Sequence, residues 1–212
     1  IQKTRKCNSI GYTLIHIFED EWKFKNDAVK NKLIEIINSQ QLNAIEYDLI
    51  ETINNENAIS FIEENDLFDV KPFDISIGMY CDNVLISIMA FKKNTNRSWS
   101  LISFCNKFGE YSIDSFKKLF NYFIDKYNPI DIITEQDNRW LNTKIFEINN
   151  FKKIQETQPR LCYINFNTGK IEKLNNIDIL QYQNDPIIFR KHGYGKIYDC
   201  GTTIFKWISV VV

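Results

Sequence analysis

Glycine and proline are scarce, at 7 and 4 residues. No internal repeat and no low-complexity segment is present, which excludes repeat architectures and tail-like chains. Neither charge sign is in excess: 26 Lys and Arg face 27 Asp and Glu, for a net charge of −1. Binding to nucleic acid by overall charge is therefore excluded, and any DNA contact must use a local patch. No apolar run approaches the roughly 18 residues of a membrane span, so no membrane partner is expected. The five cysteines (Cys7, Cys81, Cys105, Cys162, Cys200) contain no C-x-x-C pair, which removes the usual zinc spacing. Odd in number and widely spaced, they fit scattered thiols in a reducing compartment, the cytoplasm of a host cell. No signal peptide is visible, and Ile1-Gln2-Lys3 reads as the middle of a longer protein.

What is present is core material. Apolar residues make up 44% of the chain, with 16 Phe and 10 Tyr, enough for one large domain or one domain plus a fragment. Asn, Ile and Lys are abundant, a pattern that reads as AT-rich coding bias and fits a phage or another virus.

Taken in order, residues 1–10 read as a helix end with Gly11 as its stop. Residues 12–18 read as a strand apolar on both faces, followed by Glu19-Asp20-Glu21-Trp22. A helix fits 27–37, with Asp27 as N-cap. Ser39-Gln40-Gln41 is a polar break. A strand over 43–49 and a helix over 56–65 follow. Ile75–Tyr80 and Val84–Phe91 read as a hairpin turning at Cys81-Asp82-Asn83. Trp99–Cys105 is a further strand. Residues 113–127 form the strongest helix, with Phe116, Leu119, Phe120, Phe123 and Ile124 on one face. Ile130–Thr134 is a buried strand, 141–148 a short helix, and strands follow near 151–156 and 160–166. Residues 167–180 read as loop, and 187–212 as a hairpin with Gly201 at its turn. The mixed order of strands and helices places the chain in the α+β class, with a mixed sheet and flanking helices.

Two resemblances refine this reading. Lys3-Thr4, Cys7, Gly11 and Leu14-Ile15-His16-Ile17-Phe18-Glu19-Asp20-Glu21-Trp22 resemble the last strand and helix of phage endonucleases of the very-short-patch-repair and homing type. The segments Phe61–Asn65, Gly78-Met79-Tyr80, Phe104–Lys107, Lys118–Ile124, Tyr127-Asn128-Pro129, Asp137–Trp140 and Phe146 through Phe151 resemble the GCN5-related N-acetyltransferases. Together they imply three regions: 1–41, the end of a restriction-endonuclease-like core; 42–166, an acetyltransferase-like mixed sheet; and 167–212, an extension. The first resemblance implies a divalent metal in the complete nuclease, with Glu19 as ligand and Glu19 and Asp20 as catalytic candidates. The second implies coenzyme A on backbone N–H groups before the long helix. In the corresponding segment, Gly109–Ser115, Asp114 and Ser115 stand where that family has glycines. Phe146 takes the place of a tyrosine that protonates the leaving thiolate, and Asp66, Phe68 and Asp69 replace His, Gln and Gly. These departures argue against bound acetyl-coenzyme A, so no resident cofactor is expected.

Basic side chains supply the other candidates. Lys92, Lys93 and Arg97, and Arg190 and Lys191 beside His192, could meet phosphates. Arg139 and Trp140 could grip a phosphate or stack on a base, or could instead form an Arg–Asp pair over a buried indole. His16 reads as a packing residue. The leading expectation is a DNA-associated, endonuclease-like protein whose acetyltransferase-like domain makes nucleic-acid or protein contacts. The alternatives are an active acyltransferase and an interaction protein without activity.

Overall fold

The computed structural model describes residues 2–12, 14–38, 46–108, 113–140, 144–168, 170–172 and 185–209. In chain order the elements are α1 (Gln2–Ser9), α2 (Glu19–Phe24), α3 (Asn26–Asn38), β1 (Leu49–Ile53), α4 (Asn55–Asn65), β2 (Ile75–Cys81), β3 (Val84–Lys93), β4 (Ser98–Asn106), α5 (Ile113–Tyr127), β5 (Asp131–Asp137), α6 (Lys144–Ile148), β6 (Lys152–Glu156), β7 (Leu161–Asn165), β8 (Lys170–Glu172), α7 (Pro186–Lys191), β9 (Tyr194–Tyr198) and β10 (Thr202–Ile208). They divide into two compact units: a larger one of residues 27–136, 142–155 and 204–212, and a smaller one of 1–26, 137–141 and 156–203. The class is α+β, as expected from the sequence. Among the described residues no helix is long and apolar enough to cross a membrane, and no disulfide joins the cysteines.

The larger unit is built on a seven-stranded sheet in the order β1-β2-β3-β4-β5-β10-β6. β1 to β4 run antiparallel to their neighbours, and β4 and β5 run parallel. The turn between β2 and β3 holds Asp82 at φ 49° and Asn83 at φ 62°. These left-handed values are those of the tight hairpin turn, and Asp and Asn tolerate them better than most residues. Phe116, Leu119, Phe120 and Phe123 of α5 lie buried against Phe91, Trp99, Leu101 and Ile132 of the sheet. Phe91 and Phe123 stack with centroids 3.5 Å apart. Asn128, at φ 45°, and Pro129 end α5, as expected. A second cluster, from Ala58, Phe61 and Ile62 of α4 with Ile88, Ala90 and Cys105, fills the space between α4 and the sheet. Asn54 caps α4, its side chain accepting from the Asn57 N–H at 2.8 Å.

The smaller unit holds a three-stranded sheet, β8-β7-β9, against which Phe189 of α7 packs through Tyr163 and Tyr194. Most of this unit, residues 157–201, is spliced between β6 and β10.

Several expectations are corrected. Leu14–Phe18 form no strand; the chain runs irregularly into α2. The acidic run is the reason, because Glu19, Asp20 and Glu21 occupy the first helical turn, where the helix dipole favours negative charge. Phe18 donates its N–H to Glu21 Oε2 and so fixes the entry to that helix. Of the strand expected over 43–49, residues 43–45 lie outside the described set and 46–48 are not strand; β1 starts at Leu49. In the expected loop 167–180, Lys170–Glu172 form β8, and 173–180 lie outside the described residues. The tail is not a hairpin: β9 pairs with β7, while β10 enters the large sheet between β5 and β6. The chain reverses at Asp199–Gly201, where Asp199 Oδ1 accepts from the N–H groups of Arg160 and Gly201. α7 occupies the start of the stretch that reads as a hairpin.

Candidate functional site

Inside the large sheet of the larger unit, the second half of β4 is left without a partner on one side. β4 pairs with β5 only from Ser98 to Leu101, against Asp131 to Thr134. On its other side it stays paired with β3 as far as Asn106, opposite Ser87. Register slips by one residue between these halves: Phe91 faces Leu101 and Ala90 faces Ser103, so Ile102 is a bulge. A bulge bends its strand and increases the twist, and here it coincides with the separation of β4 from β5. Ile102–Asn106 thus form a strand with no β5 residue paired to it.

Polar side chains gather around this stretch. Ser103 donates its hydroxyl to Asp66 Oδ2 at 2.7 Å, and Asp66 Oδ1 accepts from the Phe68 N–H. Asn106 is buried; its Oδ1 accepts from the Ser115 hydroxyl at 3.0 Å and its Nδ2 donates to Glu35 Oε1 at 3.4 Å. Lys32 pairs with Glu35 at 3.0 Å. Burial works against the Lys32 charge, but Glu35 and Asp66 outweigh it and raise the pKa. The Cys105 thiol is pushed well up by burial and by the Asp66 charge, so it stays protonated and unreactive. Asn65 Oδ1 accepts from the Phe108 N–H at 3.0 Å and fixes the chain where it leaves β4. Beyond it, residues 109–112 of the expected coenzyme-binding segment lie outside the described set. Asp114 is exposed in the first turn of α5, and Ser115 is buried.

The opposite side of β4 is aromatic. Phe104 meets Phe116 edge to face, and Phe146 stacks on Phe205 and meets Phe116 and Phe151 edge to face. Phe146 is thus a partner of the hydrophobic cluster.

The residues singled out from sequence fall into separate groups. Lys92 and Lys93 end β3, and Arg97 sits in the following turn; all are exposed, and Arg97 Nε donates to the Asn128 carbonyl at 2.8 Å. Arg190 and Lys191 are exposed at the end of α7. Glu19 is exposed, whereas Asp20 is buried with Oδ1 lacking a hydrogen-bond partner. Among the described residues no group of three or more His, Cys, Asp or Glu is placed to hold a metal ion. Arg139 and Trp140 are 4% and 2% exposed, so neither is presented to a nucleic acid. Within the smaller unit the Arg139 guanidinium binds Asp137 at 2.7 Å and Glu21 at 2.6 Å and lies over the Phe18 ring, 4.4 Å from its centroid. Burial opposes its charge, yet the hydrogen bonds and charge of Asp137, with those of Glu21, raise its pKa. His16 bonds Thr4 Oγ1 through Nε2 at 2.8 Å. No motif or spacing in the sequence points to the Lys32–Glu35–Asp66–Ser103 group. Its members lie on three separate elements, and only Asp66 carried any signal, as a departure from the acetyltransferase pattern.

No family model matches the sequence, and no curated protein matches it. Solved structures do. The ribosomal-protein-S18-alanine N-acetyltransferase from Escherichia coli is similar at a TM-score of 0.50 and 8% identity, over 77% of this chain and 96% of that one. An aminoglycoside 6'-acetyltransferase type Ii is similar at 0.48 and 10% identity, over 78% and 99%. The aminoglycoside 6'-N-acetyltransferase from Enterococcus faecium is similar at 0.46 and 9%, over 78% and 99%. The fold, a large mixed sheet with flanking helices, is that of the GCN5-related N-acetyltransferases.

Proposed function

We propose that the larger unit binds an acyl-coenzyme A thioester along the second half of β4 and transfers the acyl group to an amine. The observation that carries this reading is the separation of β4 from β5 after Leu101 and Thr134. The amide-bearing arm of coenzyme A can add to such an edge as an extended peptide adds to a sheet. One solved structure of the same fold is, by its name, an N-acetyltransferase acting on an alanine of a ribosomal protein, which supports this reading by likeness of fold.

In the reaction the amine nitrogen attacks the thioester carbonyl carbon. A C–N bond forms, the C–S bond breaks, the sulfur leaves as a thiolate and the amine gives up a proton. Asp66, held by the Ser103 hydroxyl, is the base in this scheme. Phe146 has no proton to give. A thiol of ordinary pKa about 8.5 leaves as the thiolate without one, and solvent protonates it afterwards. Asp114 places negative charge in the first turn of α5, where the helix dipole would otherwise favour a pyrophosphate, so binding is weakened but not abolished. Calorimetry with acetyl-coenzyme A tests the reading. One site with a dissociation constant of about 10–100 μM is expected; the absence of heat at about 1 mM ligand would overturn it.

A second reading has its own observation: Lys92, Lys93 and Arg97 are exposed within one turn of the sheet. On that reading the unit is a nucleic-acid contact module. The endonuclease-like, phage or viral parentage belongs to it, supported by the string at residues 14–22. Retardation of duplex DNA at low salt that weakens steeply with added salt, and is lost in the triple alanine variant of these three residues, favours this reading.

A further inference from the structure

A cavity of about 640 Å³ opens in the larger unit at the β3–β4 turn. It lies at the start of β4: Trp99 is three residues, about 10 Å along the strand, from Ile102, where the candidate acyl-transfer edge begins, and no residue of that edge lines the cavity. Its walls are chemically mixed. Half-buried Tyr127 supplies aromatic surface, and the Trp99 ring, only 4% exposed, backs it at 5.7 Å. Lys93 supplies a cation; its ammonium lies 5.7 Å from the centroid of the Trp99 ring and, among the described residues, has no carboxylate within ion-pair distance. Asp74 supplies a carboxylate, which accepts from the Lys93 N–H at 2.7 Å and is thereby fixed while still exposed. The turn itself is held by Asn94, whose side chain bonds Ser100 through both its amide nitrogen and its oxygen. A cavity of this volume falls within the range of small-molecule sites.

We infer that this cavity binds a mononucleotide. A phosphate, a sugar diol and a flat base match, in turn, the Lys93 ammonium, the Asp74 carboxylate and the half-buried Tyr127 ring. A carboxylate accepting from a ribose hydroxyl is a known way of holding that sugar, and an ammonium is a common phosphate partner. A neutral sugar would leave Lys93 without a role, and a simple anion would be repelled by Asp74 with nothing gained from the rings. The nucleotide arrives free, because the coenzyme A pyrophosphate is assigned to the first turn of α5, beyond the other end of β4.

The test is a titration of the full chain with adenosine 5′-monophosphate. It is followed by the indole N–H resonance of Trp99 in nitrogen-15 NMR spectra assigned by triple-resonance experiments. A saturable shift of that resonance is expected, with adenosine alone and ribose 5-phosphate alone each binding at least about tenfold more weakly. Lys93→Ala and Asp74→Ala, both at exposed side chains, are expected to weaken binding by about tenfold with the rest of the spectrum unchanged. Coenzyme A is expected not to compete, and competition by it at the same concentration as the mononucleotide would overturn the assignment of a free nucleotide. No saturable shift at about 10 mM, or an unchanged titration in Lys93→Ala, would overturn it. Failure of acetyl-coenzyme A to bind at β4 has no bearing on this result, because the probe and the resonance belong to the other end of the strand.

Discussion

Arg139 and Glu21, 118 residues apart in sequence, meet at 2.6 Å with side chains only 5% and 11% exposed. The guanidinium also holds Asp137, and the Phe18 ring covers it. Two carboxylates and one cation are buried together, so removing the cation leaves negative charge without its partner. Arg139→Met is expected to destabilise the smaller unit by about 3–5 kcal/mol, measured by urea denaturation. Replacing Arg139, Glu21 and Asp137 together with apolar residues should recover much of that loss. A single variant as stable as the parent would show that the triad contributes nothing.

His16 gives a pH signature in the same unit. Burial, and then the positive charges of Arg139 and Lys3, hold its pKa below the ordinary 6.5. The folded chain therefore keeps the ring neutral where the unfolded chain begins to charge it. Stability is unaffected above pH 6.5 and falls as pH drops from there through the folded pKa. A titration of the His16 ring protons should give a midpoint below 6.5, moving upward in Arg139→Met. A midpoint at or above 6.5 would contradict the assignment.

Asp131 behaves in the opposite sense. Burial raises its pKa, but the hydrogen bonds from Lys206 at 2.8 Å and Ser98 at 2.5 Å outweigh it and leave the value below 3.8. Its contribution is present above that ordinary value and is lost as pH falls through the folded one. Lys206→Met should cost about 1–2 kcal/mol at neutral pH, with the gap to the parent shrinking as pH falls through the folded pKa and the carboxylate protonates. Denaturation midpoints followed from neutral pH into the acid range decide it.

Gly201 sits at φ 73° in the reversal between β9 and β10, and a Cβ there would press on the Thr157 carbonyl oxygen. Both strain and contact oppose a side chain, so Gly201→Ala should lower stability by about 2–4 kcal/mol. An unchanged thermal midpoint would show that the reversal rearranges freely.

Local signals carried much of the larger unit. The α5 stripe, the Asp82-Asn83 turn and the Asn128-Pro129 stop each depend on neighbours a few residues away, and each formed as expected. The failures were matters of partner choice. Leu14–Phe18 have the composition of a strand, but whether a strand forms depends on a sheet edge elsewhere, and here the adjacent acids start a helix instead. β9 and β10 look like a hairpin because they are adjacent, yet each finds a better partner in a different sheet. The Asp66–Ser103 bond and the Arg139–Glu21 pair are long-range contacts between ordinary polar residues, with no spacing to announce them. The departures at Asp114 and Phe146 were legible, but what they cost depends on geometry that sequence does not hold.

Asp114 offers the most direct test of that cost. It is exposed in the first turn of α5, a turn whose N–H groups and dipole attract anions. A carboxylate there satisfies the helix end on its own and competes with a bound pyrophosphate. Asp114→Asn removes the charge and keeps a side chain of similar shape. If coenzyme A lies against this turn, its affinity should rise by about 2–5-fold, the worth of roughly 0.3–1 kcal/mol for a charge at a helix terminus. The helix itself should lose a similar amount of stability for the same reason. A variant that loses helix stability without gaining affinity would place the ligand elsewhere and leave Asp114 a structural residue.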